Sequence, residues 1–354
     1  MGVPLKPRPP VRGFLLRTMG TPGAHFEAEI GEQPQIWERL AHAGLAERLA
    51  AALAPPVALV GSGSSLFAAQ LGAMALRRRR VDATAVAATE ARLDHRAYED
   101  RTVVAISQSG SSTDLLRALD RLRPRRLVAL TNTNDSPLAE RADETIDVGA
   151  GPERAVPASK SVSATVALLL WAASLVGGNG SRDARALLAT AEATRQWLRS
   201  AGRERVRAAG AELAERRSVA ILGSDYGLPV ARETALKLKE AAYLHAEGFA
   251  AGEFRHGSVA MVDATFGVVG IVDCDGLASV ARAMRAVAQT GAARYLIGST
   301  PIDDVPTLGP VVDDAFNVLA WLVTAQTLAL DVARARNVDS DAPRGLTKAV
   351  VDEQ

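Results

Sequence analysis

The sequence predicts an α/β protein of two units, each a parallel sheet flanked by helices, plus a C-terminal tail. Three observations carry this. Short apolar runs recur, each closed by a Gly- or Ser-rich turn and followed by residues at helical spacing. The same grammar occurs twice along the chain. The 354 residues, 48% of them hydrophobic, suffice for two domains of about 150 residues each.

In the first half, Val57 to Val60 is an apolar run that stops at Gly61-Ser-Gly-Ser-Ser65. Leu66 to Leu76 follows as a helix. Thr102 to Ile106 is a second strand, closed by Ser107-Gln-Ser-Gly110. Leu115, Leu116, Leu119 and Leu122 then share a helix face, and Arg126 to Thr131 is a third buried strand. Val166 to Val176 is the most apolar stretch. It has about half the length needed to span a bilayer and reads as a buried helix.

The second half repeats the scheme. Ser218 to Leu222 is a strand ending at Gly223-Ser224, and a long helix runs from about Pro229 to His245. Phe266 to Val272 and Ala293 to Ile297 are further strands. Leu319 to Ala333 reads as an amphipathic helix. Strands alternating with helices imply right-handed crossovers and parallel sheets. The halves join through a long helical segment after Gly177-Gly-Asn-Gly180, where Thr190 to Gly210 is rich in Ala, Arg and Glu. Asn337 to Gln354 has little periodicity and reads as a tail over the domains.

Composition narrows the function classes. Charged residues are 23% and the formal net charge is +1, a balance that argues against a general nucleic-acid surface. The single cysteine, Cys274, makes no internal disulfide, and no Cys/His spacing resembles a zinc site. It reads as a small buried hydrophobe in a reducing compartment. The start, MGVPLKPRPPVRGF, has four prolines and three basic residues but no apolar core of a signal peptide. It reads as a flexible arm, and the expected location is cytoplasmic, away from membranes. Arg77 to Arg80 ends a helix, where basic residues complement the dipole and face solvent.

Two strand ends are rich in Gly and Ser. Gly61-Ser-Gly-Ser-Ser65 and Ser107-Gln-Ser-Gly-Ser-Ser-Thr113 each follow a strand and open a helix. A helix N-terminus offers unpaired N–H groups, hydroxyls add neutral donors, and Gly lets backbone approach an anion. The plain alternative is N-capping by Ser. Two such loops in one domain favour a phosphate cradle, and the second has a hydroxyl at five of its seven positions. The first is not a dinucleotide fingerprint, because Leu66 stands where the third Gly belongs. Nor is it a Walker loop, because no Gly-Lys-Ser/Thr follows.

One helix carries a charged face. Glu233, Lys237 and Glu240 are spaced i, i+4, i+7 and fall on one side, whereas Lys239 lies about 100° around from Glu240 and faces solvent. Further on, His256 precedes Gly257 in a turn. The plain alternative is a salt-bridge ladder on a surface helix and a loop histidine. Yet carboxylate, amine and imidazole together make a general acid–base set, and an amine near a sugar carbonyl can form a Schiff base.

At these residues the chain resembles the sugar-isomerase (SIS) family, in particular the isomerase half of glucosamine–fructose-6-phosphate aminotransferase and stand-alone glucosamine-6-phosphate deaminase-like proteins. The likeness runs from about Phe26 to Glu353. Glu27 to Pro34 looks like the lead-in to the first domain, and Ser107-Gln-Ser-Gly110 like the phosphate loop. Glu233 to Glu240, His245-Ala-Glu247, Ala250 to Glu253 and His256-Gly257 look like the active-site helix and its loop. Asp341-Ala-Pro-Arg-Gly-Leu-Thr-Lys348 looks like the C-terminal D-x-P-R-x-L-x-K tail.

The resemblance implies two flavodoxin-like SIS domains. The expected organisation is an arm at 1–25, a first domain with phosphate loops at 26–195, a second with the catalytic helix at 196–335, and a tail over the active site at 336–354. It implies that Ser64, Ser65, Ser107, Gln108, Ser109 and Ser112 hold a phosphate and that Val156 and Ser159 line the sugar. It implies Glu240 as the base moving a proton between C1 and C2. His256 would help open the ring from a partner subunit, so the active unit would be at least a homodimer. Lys348 would engage the C2 carbonyl, and Glu233 and Lys237 would position hydroxyls and tune the base. No metal, redox or nucleotide cofactor is implied.

Two departures stand out. The glutaminase domain of the full aminotransferase, with its N-terminal cysteine, has no counterpart in this sequence. Ser111-Ser112 also replaces the Glu-Thr of the synthase loop. The leading expectation is an isomerase–deaminase that converts glucosamine-6-phosphate to fructose-6-phosphate and ammonia. The alternatives are a dehydratase that expels the 3-hydroxyl of an (N-acetyl)amino sugar phosphate, a deglycase for fructosamine phosphates, and a sugar-phosphate sensor without turnover.

Overall fold

A computed structural model describes residues 21–176, 178, 183–272, 275–312 and 315–348. The N-terminal arm up to residue 20, Gly177, Asn179, Gly180, Cys274 and residues 349–354 lie outside the described residues.

The first sheet contains β1 (Val57–Gly61), β2 (Ala83–Ala87), β3 (Thr102–Ser107), β4 (Arg126–Thr131) and β5 (Glu144–Asp147), ordered β2-β1-β3-β4-β5 and all parallel. The second contains β6 (Ser218–Gly223), β7 (His245–Ala250), β8 (Phe266–Val272), β9 (Ala293–Gly298) and β10 (Thr307–Leu308), ordered β10-β9-β8-β6-β7 and also parallel. Counted from its own first strand, each sheet has the order 2-1-3-4-5. The expected pair of flavodoxin-like units is therefore present. Central strands β1, β3, β6 and β8 are buried along their whole length, which is why they read as unbroken apolar runs. Four strands escape the pattern: β2, β5 and β7, which are half-exposed and carry Thr, Glu, Asp and His among their residues, and β10, which is two residues long.

Three expectations need correction. The long helix of the second half is Gly227–Ala242 and stops before His245. Tyr243 takes a left-handed φ of 51° that turns the chain, and His245 starts β7 opposite Ser218. The Thr190 to Gly210 segment is two helices, Asp183–Leu198 and Gly202–Ala214, with a turn between. The expected amphipathic helix is Asn317–Ala335, and it is buried on every side from Val318 to Ala333. It packs against Gly227–Ala242 and Gly202–Ala214, so its polar Thr324 and Gln326 are buried too. Among the described residues it is the one helix long and apolar enough to cross a membrane, and 89% of its apolar window is buried inside the protein. The Lys160–Val176 helix is buried as expected, apart from its last residues. One apolar cluster runs from Phe26 through both halves to Ala333.

Candidate active site

The site forms where the first sheet's strand order reverses, beside the C-terminal ends of β1 and β3. The chain leaves β1 at Gly61 and enters the Ser64–Arg78 helix within three residues. A Cβ on Gly61 would lie 2.8 Å from the Ser65 backbone, so this close turn demands glycine. After β3, Gly110 has φ of 63°, and a Cβ there would meet Ser136 Oγ at 2.1 Å.

The second loop is fixed by its own hydroxyls. Ser107 Oγ accepts from Gly110 N at 3.1 Å, and Ser109 Oγ accepts from Ser111 N at 3.2 Å. The Gln108 carbonyl accepts from Asn132 N at 3.1 Å and from the Thr131 hydroxyl at 3.3 Å. Simple capping does not explain these serines. Ser112 is the N-cap of Thr113–Leu119 yet makes no side-chain cap bond, and the cap of Ser64–Arg78 is Gly63. By contrast, Ser136 is an ordinary cap, its hydroxyl accepting from Ala139 N.

Both loops line one cavity of about 220 Å³. Ser64, Ser65, Ser107, Gln108, Ser109 and Ser112 form one wall. Val156, Ala158, Lys237, Glu240 and Lys348 also line the cavity, with Leu346 and Thr347 from the tail. A larger cavity of about 350 Å³, lined by Arg78, Arg79, Asp183 and Tyr226, contains none of these loop residues.

Two of the three residues on the charged helix face are buried, which a surface ladder would not be, and Glu240 is partly exposed. Glu233 and Lys237 have side chains only 1% exposed. Lys237 Nζ lies 2.6 Å from Glu240 Oε2 and 3.4 Å from Glu233 Oε1. Ser64 Oγ donates to Glu233 Oε1 at 3.1 Å, which ties the first loop to this helix. Burial opposes the charge on Lys237, but Glu233 and Glu240 outweigh it and push the ammonium up to about 12. Burial pushes the Glu233 carboxyl up, against the pull of Lys237. The shorter contact makes Glu240 the main partner of Lys237. Lys239 is exposed, as expected.

Three expected residues do not line the cavity: Glu233, which lies against Lys237, and Ser159 and His256. Ser159 is fully buried and does not line it; Ala158 does. The Ser159 amide donates instead to Glu153 Oε1 at 2.9 Å. His256 is exposed in the turn after Ala251–Phe254 and is absent from the lining of this cavity. Among the described residues no group of three or more His, Cys, Asp or Glu could hold a metal ion.

The sequence reading missed two buried carboxylates behind the site. Glu153 accepts from Lys348 Nζ at 2.8 Å, and Glu29 accepts from the amides of Arg154 and Ala155. Glu29 lies in the quoted lead-in Glu27 to Pro34, and Glu153 in a loop bounded by Gly149, Gly151 and Pro157. The available signal was a Glu-Arg pair in a Gly- and Pro-bounded turn just before the most apolar helix.

Comparison with known proteins agrees with this architecture. The SIS domain family model matches residues 54–175 and 212–318. A glutamine–fructose-6-phosphate aminotransferase (isomerizing) of Pyrobaculum aerophilum is 34% identical over 357 residues, covering 96% of this chain and 58% of the relative. The chain thus spans about half the length of the curated relatives it matches, 43% for that of Mycolicibacterium smegmatis. The C-terminal domain of glucosamine-fructose-6-phosphate aminotransferase from Francisella tularensis superposes with a TM-score of 0.81 at 22% identity, covering 90% of this chain and 98% of that one. A glucosamine-6-phosphate deaminase from Thermotoga maritima gives 0.78 at 22% identity, covering 92% and 99%. With both sheets, their topology and these matches in agreement, the chain belongs to the SIS domain family.

Proposed function

We propose that this chain isomerises an amino sugar 6-phosphate and releases its nitrogen, converting glucosamine-6-phosphate to fructose-6-phosphate and ammonia. The observation that carries the reading is one cavity lined by two hydroxyl loops, Glu240, Lys237 and Lys348. A phosphate has neutral donors at one end, and a sugar chain has a base and two amines at the other. That a glucosamine-6-phosphate deaminase shares the fold is in keeping with it.

The chemistry follows from the residue types. The two loops hold the phosphate, with Val156 along the sugar. Glu240 takes the proton from C2 of the open aldose, and electrons move toward the C1 oxygen as the C1–C2 enolamine forms. Lys237 and Lys348 are the cations near that developing charge. Return of the proton to C1 leaves an imine at C2. Water adds there and ammonia departs, giving the ketone. Glu233 braces Lys237 from below. His256 acts in ring opening from a second copy of the chain, so the active unit is a homodimer.

The test is product analysis by mass spectrometry in deuterated water, with glucosamine-6-phosphate and its N-acetyl form run separately. Hexose phosphate carrying deuterium at C1, with ammonia, is expected from the amine. Loss of water from either sugar would replace this reading with the dehydratase. Glu240→Gln should lower turnover by about 10²- to 10⁴-fold, and near-full turnover would remove Glu240 as the base. Mixing Glu240→Gln with His256→Ala chains should restore activity if sites are shared; no rescue would assign each site to one chain.

A further inference from the structure

We propose that Glu153 is the positioning residue for Lys348, holding it as a tethered ammonium with one N–H left for the substrate. This rests on reading the cavity as a sugar-phosphate site. Glu153 does not line that cavity, and its side chain is completely buried. Oε2 accepts from Lys348 Nζ at 2.8 Å and from Ser161 Oγ at 2.7 Å. Oε1 accepts from Ser159 N at 2.9 Å and Ser161 N at 3.1 Å. Lys348 Nζ also donates to the Ala155 carbonyl at 2.7 Å. An ammonium has three N–H donors, and these bonds use two. Lys348 lines the cavity with a quarter of its side chain exposed, which leaves the third for a ligand oxygen.

The anchor is rigid while the tail is not regular. Residues 337–348 form neither helix nor strand. The 153–161 segment, however, is held from several sides. Glu29 accepts from Arg154 N and Ala155 N. Gln326 donates to the Ser159 carbonyl at 3.3 Å and accepts from Gln33 at 2.7 Å. Lys160 pairs with Glu32 at 2.5 Å. The lead-in helix Ala24–Leu40 thus acts on the site through this segment. Burial opposes ionisation of Glu153, yet the Lys348 ammonium and the Ser159 and Ser161 donors hold its carboxyl below the usual range. Held this way, Lys348 presents its remaining N–H to the cavity.

The test uses the full chain. Glu153→Gln keeps the shape and an acceptor but removes the charge; Glu153→Asp keeps the charge and shortens the reach. The first readout needs no activity: acylation of Lys348 by an N-hydroxysuccinimide ester, read by peptide mass spectrometry against exposed Lys239. Glu153→Gln should speed Lys348 labelling by about tenfold or more, because a neutral amide holds the amine less tightly than a carboxylate does. An unchanged rate overturns the proposal. Should that variant not fold, Glu153→Asp decides by the same labelling, faster than wild type supporting and equal overturning. The second readout is kinetic. Glu153→Gln should lower kcat by about tenfold with KM moved less than about threefold, and Glu153→Asp should recover part of kcat. Wild-type kcat in Glu153→Gln, alongside an inactive Glu240→Gln, sinks the positioning role and leaves the function standing. A wild type inactive on amino sugar phosphates sinks the function, while the labelling still judges Glu153.

Discussion

The two halves share a topology and differ in what stands where the strand order reverses. In the first, the loops after β1 and β3 bring Ser62, Ser64, Ser65 and Ser107 to an open cavity. In the second, β6 leads into Ser224-Asp225-Tyr226, and Asp275 follows β8. Arg78, from the first half, already occupies that place. It lies 2.8 Å from Asp275 and 3.8 Å from Asp225, with its guanidinium 4.3 Å from the Tyr226 ring centre. A phosphate dianion would meet neutral donors at one switch point and two carboxylates, already paired with Arg78, at the other. The fold supplies two equivalent places, and loop chemistry decides which one is a site. The second half contributes its helix instead, through Glu233, Lys237 and Glu240.

This contrast can be broken by making the first loop resemble the second. Ser109→Asp puts a carboxylate in the cradle and should weaken glucosamine-6-phosphate binding by about 100-fold or more in calorimetry. An affinity within a few-fold of wild type would remove residues 107–113 from phosphate binding. Gly110→Ala tests the loop's geometry. Its positive φ and the clash with Ser136 should lower stability by about 2–3 kcal/mol in urea unfolding. A loss below about 0.5 kcal/mol would mean that the turn relaxes freely.

A smaller effect is expected from pH. The folded-state carboxyl of Glu153 lies below its ordinary 4.5, so its contribution is present above 4.5 and lost as pH falls through the folded value. The stability gap between wild type and Glu153→Gln, about 2 kcal/mol, should be flat above about pH 5.5 and close as pH falls below 4.5. A gap that widens in acid would contradict the assigned charge state. Least affected should be Arg78→Ala. Its ion pairs are about half-exposed, so stability should fall by less than about 1 kcal/mol and sugar-phosphate affinity should not change. Lost affinity would show that the second switch point communicates with the first.

Much of this was legible in the residues alone. Period and turn chemistry are local, so the buried strands, the Gly- and Ser-rich strand ends and the face carrying Glu233, Lys237 and Glu240 could all be read from spacing. Edge strands such as β5 could not, because Glu144 to Asp147 pairs with β4 on one side only and carries no apolar run. The central helix Asn317–Ala335 reads as amphipathic because Thr, Gln and Asp interrupt it, yet packing on all sides buries them. Burial of Lys237 is likewise invisible in an i, i+4, i+7 pattern that a surface ladder shares. Most of all, the sequence holds Glu29, Glu153 and Lys348 more than a hundred positions apart from one another. Only the tertiary structure brings them together, because a hydrogen bond of about 2.8 Å depends on where chains meet in space and not on their separation along it.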